Sequence, residues 1–151
     1  MEKTPERRRA LKCRIHPCGE LDQYKFVVVC SRYNGQWMFS RHAARDTWET
    51  QGGHIEADET PMEAAKRELY EESGAEEAIL YPVCDYCGYD DYGFANGVVF
   101  VAHVLKLGAL PPSEMKETAL FEQLPEALTY PAVTPRLCAE AEKLLARYHI
   151  P

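Results

Sequence analysis

The chain has 151 residues, 46% hydrophobic and 11% aromatic, which suits one globular domain, 1–151, with a sizeable core, and excludes a disordered chain. Its 17 Lys and Arg stand against 24 Asp and Glu, a formal charge of −7, which argues against a general electrostatic grip on a nucleic-acid polymer or an anionic membrane. An anionic small substrate remains compatible if a cation mediates its binding. No apolar run reaches the roughly 20 residues of a membrane span, and no apolar segment follows the basic N-terminus, so the chain reads as cytoplasmic.

In chain order, Leu11–Ile15 is a short strand candidate and Tyr24–Ser31, rich in β-branched residues, a buried one. Asn34-Gly35 carries a hairpin signal that returns the chain into Trp37–Arg41. Tyr33, Trp37 and Phe39 lie on or near that hairpin, where they serve the core or offer a ring to a base. Thr47–Gln51 is extended and runs into Gly52-Gly53. Thr60, Pro61 and Glu63 then have the form of a helix start with a capping box, and Gly74 stands where a C-terminal glycine belongs. The resulting helix, Pro61 to Ser73, has 13 residues and spans about 20 Å. Ala78–Tyr86 and Gly97–Leu107 read as paired strands with Asp90–Gly93 in the loop between them, together with Phe94, Ala95 and Asn96 either a candidate specificity loop or simply a solvated hairpin turn. Gly108–Pro112 is a turn, Thr118–Phe121 a last short strand, and Pro135–Tyr148 an amphipathic helix. This order implies a mixed sheet covered by helices, an α/β fold. Cys84 and Cys87 have CxxC spacing, with Cys13 and Cys18 as a second pair for zinc. On a strand the first two would face opposite sides, so ordinary small apolar residues are the better reading.

On a helical wheel with Arg67 at 0°, Glu71 falls at about 40°, Glu68 at about 100° and Glu72 at about 140°, beside the Met62, Ala65 and Leu69 stripe. Three acids so close on one helix repel each other by a few tenths of a kcal/mol per pair. A divalent cation turns that repulsion into coordination. Carboxylate oxygens without His or Cys favour Mg²⁺ or Mn²⁺, and a backbone carbonyl from the Gly-Gly segment is able to complete the set. A solvated acidic face is the bland alternative.

Gly53, Glu59 and Arg67-Glu68-Leu69-Tyr70-Glu71-Glu72-Ser73-Gly74-Ala75 have the spacing of a complete Nudix box, and the chain resembles that hydrolase family. Trp48 to Glu56 resembles the usual lead-in, except that Gln51 stands in place of a proline, a change expected to cost loop rigidity. The resemblance implies an α/β/α sandwich around a mixed sheet, with the box as loop–helix–loop. It implies Mg²⁺- or Mn²⁺-dependent hydrolysis of a pyrophosphate bond in a nucleoside diphosphate-linked substrate. It further implies Glu68, Glu71, Glu72 and the Gly53 carbonyl as metal ligands, Arg67 as an orienting arginine and Glu59 as a structural glutamate. Glu114 is the candidate for one further acid, with Glu117 second; either, or Glu68, is the general base. Among family members the chain looks most like those acting on nucleoside triphosphates, including oxidised purine nucleotides, to give a monophosphate and pyrophosphate. Hydrolysis of ADP-ribose or a nucleotide sugar and non-catalytic nucleotide sensing are the alternatives. The expected partner is a small nucleotide rather than a nucleic-acid polymer or a membrane, and a homodimer is left open.

Overall fold

The β-branched run that begins at Tyr24 forms the strand about which the sheet is organised. The protein is described here by a computed structural model covering residues 3–151. Strand β2 (Tyr24–Tyr33) pairs in parallel with β7 (Gly93–Leu107). Its other edge is shared antiparallel between β5 (Gln51–His54), along Phe26–Val29, and β3 (Gln36–His42), along Ser31–Tyr33. β1 (Lys12–His16) and β6 (Ala75–Asp90) continue the sheet in the order β1-β6-β7-β2-β3, and β4 (Trp48–Glu49) and β8 (Met115–Phe121) both pair with β3. The parallel β2–β7 ladder among antiparallel ones makes the sheet mixed, as expected.

Two helices cover its faces. Ala64, Ala65 and Leu69 of α2 (Pro61–Ser73) pack on Val27, Val29, Met38 and Phe100. Leu137, Cys138, Ala141 and Leu145 of α3 (Thr134–Arg147) pack on Cys30, Phe39, Val99 and Val101 of the opposite face. Such alternation of inward side chains along β2, with Val29 to one side and Cys30 to the other, follows from the strand's period of two. The result is the α/β/α sandwich. A six-residue helix α1 (Pro5–Ala10), too short to leave a periodic signal, precedes β1.

Two local expectations are corrected, and one alternative is decided. Asp90–Gly93 is the tight turn of a hairpin, and Phe94, Ala95 and Asn96 belong to the paired strand β7, not to a loop. β6 and β7 remain paired to Asp90↔Gly93, leaving a two-residue turn, because Asp90 Oδ1 accepts from the Tyr92 N–H (2.8 Å) and Arg7 anchors Oδ2 (2.9 Å). β8 starts at Met115, earlier than expected, because its ladder with β3 extends to His42↔Met115. Trp37 and Phe39 are buried core, so neither is available to stack on a base; Phe39 instead meets Phe121 edge-on, ring centroids 5.9 Å apart. Cys84 is buried and Cys87 half-buried, and every cysteine is a free thiol. No helix among the described residues is long and apolar enough to cross a membrane.

Candidate active site

The carboxylate-bearing helix has both ends set by local chemistry. Thr60 Oγ1 accepts from the Glu63 N–H (3.1 Å) while the Glu63 carboxylate accepts from the Thr60 N–H (2.9 Å), a complete capping box. At the other end Gly74 takes a left-handed φ of 81°, open to glycine without strain, and its N–H donates to the Tyr70 carbonyl (2.8 Å). Burial of Ala65 and Leu69 then fixes the rotation of the helix. Glu68 falls at the edge of the buried face with its side chain 13% exposed, while Glu71 is 48% exposed.

β5 brings main chain to those acids. The Gly52 N–H donates to Glu72 Oε1 (2.8 Å). Gly53 lies against the Glu68 carboxylate so closely that a Cβ there would fall 2.5 Å from Oε1. Gly53→Ala is therefore expected to push Glu68 aside and to lower turnover about tenfold or more, with a small change in melting temperature because the backbone at 53 is not in the left-handed region. Steady-state kinetics beside a thermal melt measure both, and unaltered turnover would refute the close fit.

Arg67 joins the rest. Its Nε and Nη2 bind the two oxygens of Glu59 (2.7 and 2.9 Å), Nη1 reaches Glu68 Oε1 (2.8 Å) and Glu71 Oε2 (3.3 Å), and Nη2 also donates to the His54 carbonyl (3.1 Å). The paired guanidinium, helped by the Glu56 N–H, holds the Glu59 carboxyl at about 2, well below the usual range. Glu68 and Glu72, neighbours by helical spacing, bond in different directions, one to Arg67 and the other to Gly52.

Glu72 is the exceptional group. Burial pushes its carboxyl up to about 9, the Gly52 N–H works against that rise, and the charges of Glu68, Glu49 and Glu114 add to it. Burial also raises Glu68, with Arg67 opposing. Among the described residues no three acidic, imidazole or thiol groups are drawn together as a ready-made ligand cluster. The donor set nevertheless fits a hard dication: it is all oxygen, it lacks enough positive charge for its buried members, and its tightest approach is at a glycine whose Cβ would fill the space.

The other predicted acids lie at the border. Glu114 directs an 81% exposed side chain toward His42 Nε2 (3.6 Å), and its charge still reaches Glu72. Glu117 is bound to Arg41 Nε (2.7 Å) on the β3–β8 ladder, away from the other acids' bonding network.

Sequence reasoning missed two residues here. Glu49 is 8% exposed, held by both oxygens to Arg45 (3.0 and 2.9 Å) and by Thr129 Oγ1 (2.7 Å), and contributes to the field on Glu72. Its place next to Trp48 in the lead-in was the available signal. Gln51 does not loosen a loop. It is a fully buried strand residue whose Oε1 accepts from Ser31 Oγ (2.5 Å) and whose Nε2 donates to Ser40 Oγ (2.9 Å). Ser40 Oγ in turn donates to the Glu72 carbonyl (2.8 Å), so the side chain that replaces proline ties the last turn of α2 to the sheet.

On the α3 side of β5 a cleft of about 380 Å³ opens, floored by Phe26, Tyr86 and Leu137 and bordered by Lys3, Lys25 and the Gly52–Gly53 backbone. β5 is thus a wall shared by the cleft and the acids.

A family model described as a NUDIX domain matches residues 20–147. A Bacillus subtilis protein provisionally named an 8-oxo-dGTP diphosphatase is 34% identical over 111 residues, 72% of this chain and 68% of that protein. An RNA pyrophosphohydrolase of Stenotrophomonas maltophilia is 45% identical over 47 residues, 31% of this chain and 23% of that protein's length. The crystal structure of a Bacillus subtilis pyrophosphohydrolase superposes with a TM-score of 0.75 at 24% identity over 88% of this chain and 90% of that one. The Nudix domain of a Shewanella oneidensis protein complexed with ADP-ribose does so with a TM-score of 0.64 at 16% identity over 85% and 92%. Both structural likenesses show the fold.

Proposed function

The chain belongs to the Nudix hydrolase family, and from that premise we propose that it hydrolyses a pyrophosphate bond of a nucleoside triphosphate, oxidised purine nucleotides included, with Mg²⁺ or Mn²⁺. The observation that carries the reading is the meeting of β5 with α2, where the Gly52 N–H binds half-buried Glu72 (2.8 Å) and Gly53 lies against the Glu68 carboxylate. A dication among Glu68, Glu71, Glu72 and the Gly53 carbonyl offsets their negative charge. When bound, it neutralises phosphate oxygens and acidifies the attacking water.

The chain's own groups do the rest. Glu71 and Glu72 would hold the ion, and the Gly52 N–H fixes one Glu72 oxygen (2.8 Å). Arg67, forked onto Glu59, keeps Glu68 in place. Glu68 accepts the water's proton or shares the ion; Glu114, 3.6 Å from His42 Nε2 and adding its charge to the field on Glu72, is the rival base, whereas Glu117 is engaged by Arg41. Phe26 and Tyr86, packed edge-on with ring centroids 5.0 Å apart, form an apolar floor for the nucleobase. The similarity to a protein provisionally named an 8-oxo-dGTP diphosphatase supports the triphosphate over a nucleotide sugar.

A nucleotide panel assayed with each metal is expected to release pyrophosphate and a nucleoside monophosphate. AMP with ribose phosphate from ADP-ribose, and nothing from triphosphates, would move the assignment to the alternative. Binding without turnover of any substrate would make the protein a sensor.

A further inference from the structure

The sheet forks next to the acids. Glu49 pairs with Ser40 of β3, but by Gln51 the partner has become Val29 of β2, and β2 turns to β3 only at Ser31↔Met38. The side chain of Gln51 bridges that fork. Its Oε1 accepts from Ser31 Oγ, and its Nε2 donates to Ser40 Oγ (2.9 Å) and to the Met38 carbonyl (3.3 Å). Ser31 is 1% exposed and Ser40 and Gln51 are fully buried, so bulk water does not compete for these bonds.

A single orientation of the amide satisfies every partner. Ser40 has one hydroxyl proton, and it goes to the Glu72 carbonyl (2.8 Å). With the amide turned over, its oxygen would face Ser40 Oγ and the Met38 carbonyl, acceptor against acceptor. The donors therefore run one way, from Ser31 to Gln51 to Ser40 to Glu72. The chain of bonds ends on one of the last four carbonyls of α2, which the helix itself leaves without a partner. Proline at position 51 would have no amide to supply any of these links.

Glu72 is thus held at two points by consecutive residues of β5. Gly52 takes its carboxylate directly, and Gln51 takes its main-chain carbonyl by way of Ser40. A carboxylate gripped at one oxygen still swings if its backbone moves; a second anchor on the carbonyl removes that freedom. We propose that Gln51 is a positioning residue of the hydrolysis: through Ser40 it fixes the last turn of α2, so that the Glu72 carboxylate keeps its place beside Gly52, where a dication would bind. This rests on the pyrophosphohydrolase reading above. Neither Gln51 nor Ser40 takes a proton or touches the nucleotide. Their loss belongs in metal affinity and turnover, where groups that orient a metal ligand commonly contribute about ten- to a hundredfold.

The test titrates Mn²⁺ into the metal-free full chain, following the unbound ion by electron paramagnetic resonance, beside kcat and KM on GTP and a thermal melt. Gln51→Met keeps the length of the side chain and removes its amide, and Ser40→Ala removes the hydroxyl alone. Each is expected to weaken Mn²⁺ binding about tenfold and to lower kcat by a similar factor, with KM for GTP within about twofold of the parent. Ser40→Thr, which restores a hydroxyl, should recover most of both. Cys30→Ala, a change in the core on the α3 face, should lower the melting temperature and leave Mn²⁺ affinity unaltered. Should Gln51→Met not fold, Ser40→Ala decides. Parental Mn²⁺ affinity in folded Gln51→Met or Ser40→Ala, or an equal loss in Cys30→Ala, overturns the proposal. A parent that takes up no Mn²⁺ overturns both the proposal and the reading beneath it. One that binds Mn²⁺ yet hydrolyses no triphosphate overturns that reading alone, and the affinities still decide the role of Gln51.

Discussion

Glu72→Gln is expected to lower turnover at saturating Mg²⁺ by about 100-fold or more while the protein stays folded. The amide retains the acceptor for the Gly52 N–H (2.8 Å in the parent) but removes the charge that holds a dication. The same change has a second, opposite signature. With a folded-state pKa of about 9, raised by burial, Glu72 favours folding fully below the ordinary 4.5 and loses that contribution as pH rises through 9. Metal-free parent protein should therefore lose up to about 1.4 kcal/mol of stability per pH unit across that window from this group. The glutamine variant lacks that slope. Metal-free melts should coincide near pH 4.5 and show the variant several degrees more stable near pH 9; added Mg²⁺ should stabilise the parent more than the variant. Near-normal turnover of Glu72→Gln at saturating Mg²⁺ would remove this residue from the chemistry, and parallel melting profiles would remove the buried-charge argument.

Arg67→Ala is the second large effect, and it acts by position. The guanidinium meets Glu59, Glu68 and Glu71 and a main-chain carbonyl, so its loss leaves three acids without their common cation. Turnover is expected to fall about 10- to 100-fold, less than for Glu72→Gln, with weaker Mg²⁺ activation and a melting temperature several degrees lower at pH 7. Arg67→Lys should rescue little, since one ammonium cannot occupy both oxygens of Glu59 and still reach Glu68. The stability loss should depend on pH in a defined direction. Glu59, held at about 2 by Arg67, contributes stability that is complete above its ordinary value of 4.5 and fades as pH falls toward 2. The gap between parent and variant should narrow over that interval in thermal melts. A constant gap would mean that Arg67 acts through packing alone.

Most of the acid face was legible before any coordinates. Thr60, Pro61, Glu63 and Gly74 bound α2 by rules that operate within one turn, and 100° per residue places Glu68 and Glu72 beside Leu69 whatever the helix packs against. The long hairpin was less legible. Asp90 looked like a loop residue because its polar side chain gives no strand period, and what keeps it in the ladder is Arg7, eighty-three residues earlier. Gln51 was misjudged for a related reason. A buried glutamine is tolerable only with both ends of its amide satisfied, and Ser31 and Ser40 come from two other strands.

By itself, then, the order of residues determined the family, the mixed α/β class and the helix that carries the acids, because all three rest on local spacing and capping. Only the tertiary structure decided that Gly52 and Gly53 touch Glu72 and Glu68, that Glu49 and Glu114 add their fields to Glu72, and that Lys3 and Leu11 line the cleft beside β5. Burial and Coulomb interaction depend on distance in space. Strand pairing and core packing set those distances for residues far apart in the chain, and a linear pattern does not carry them.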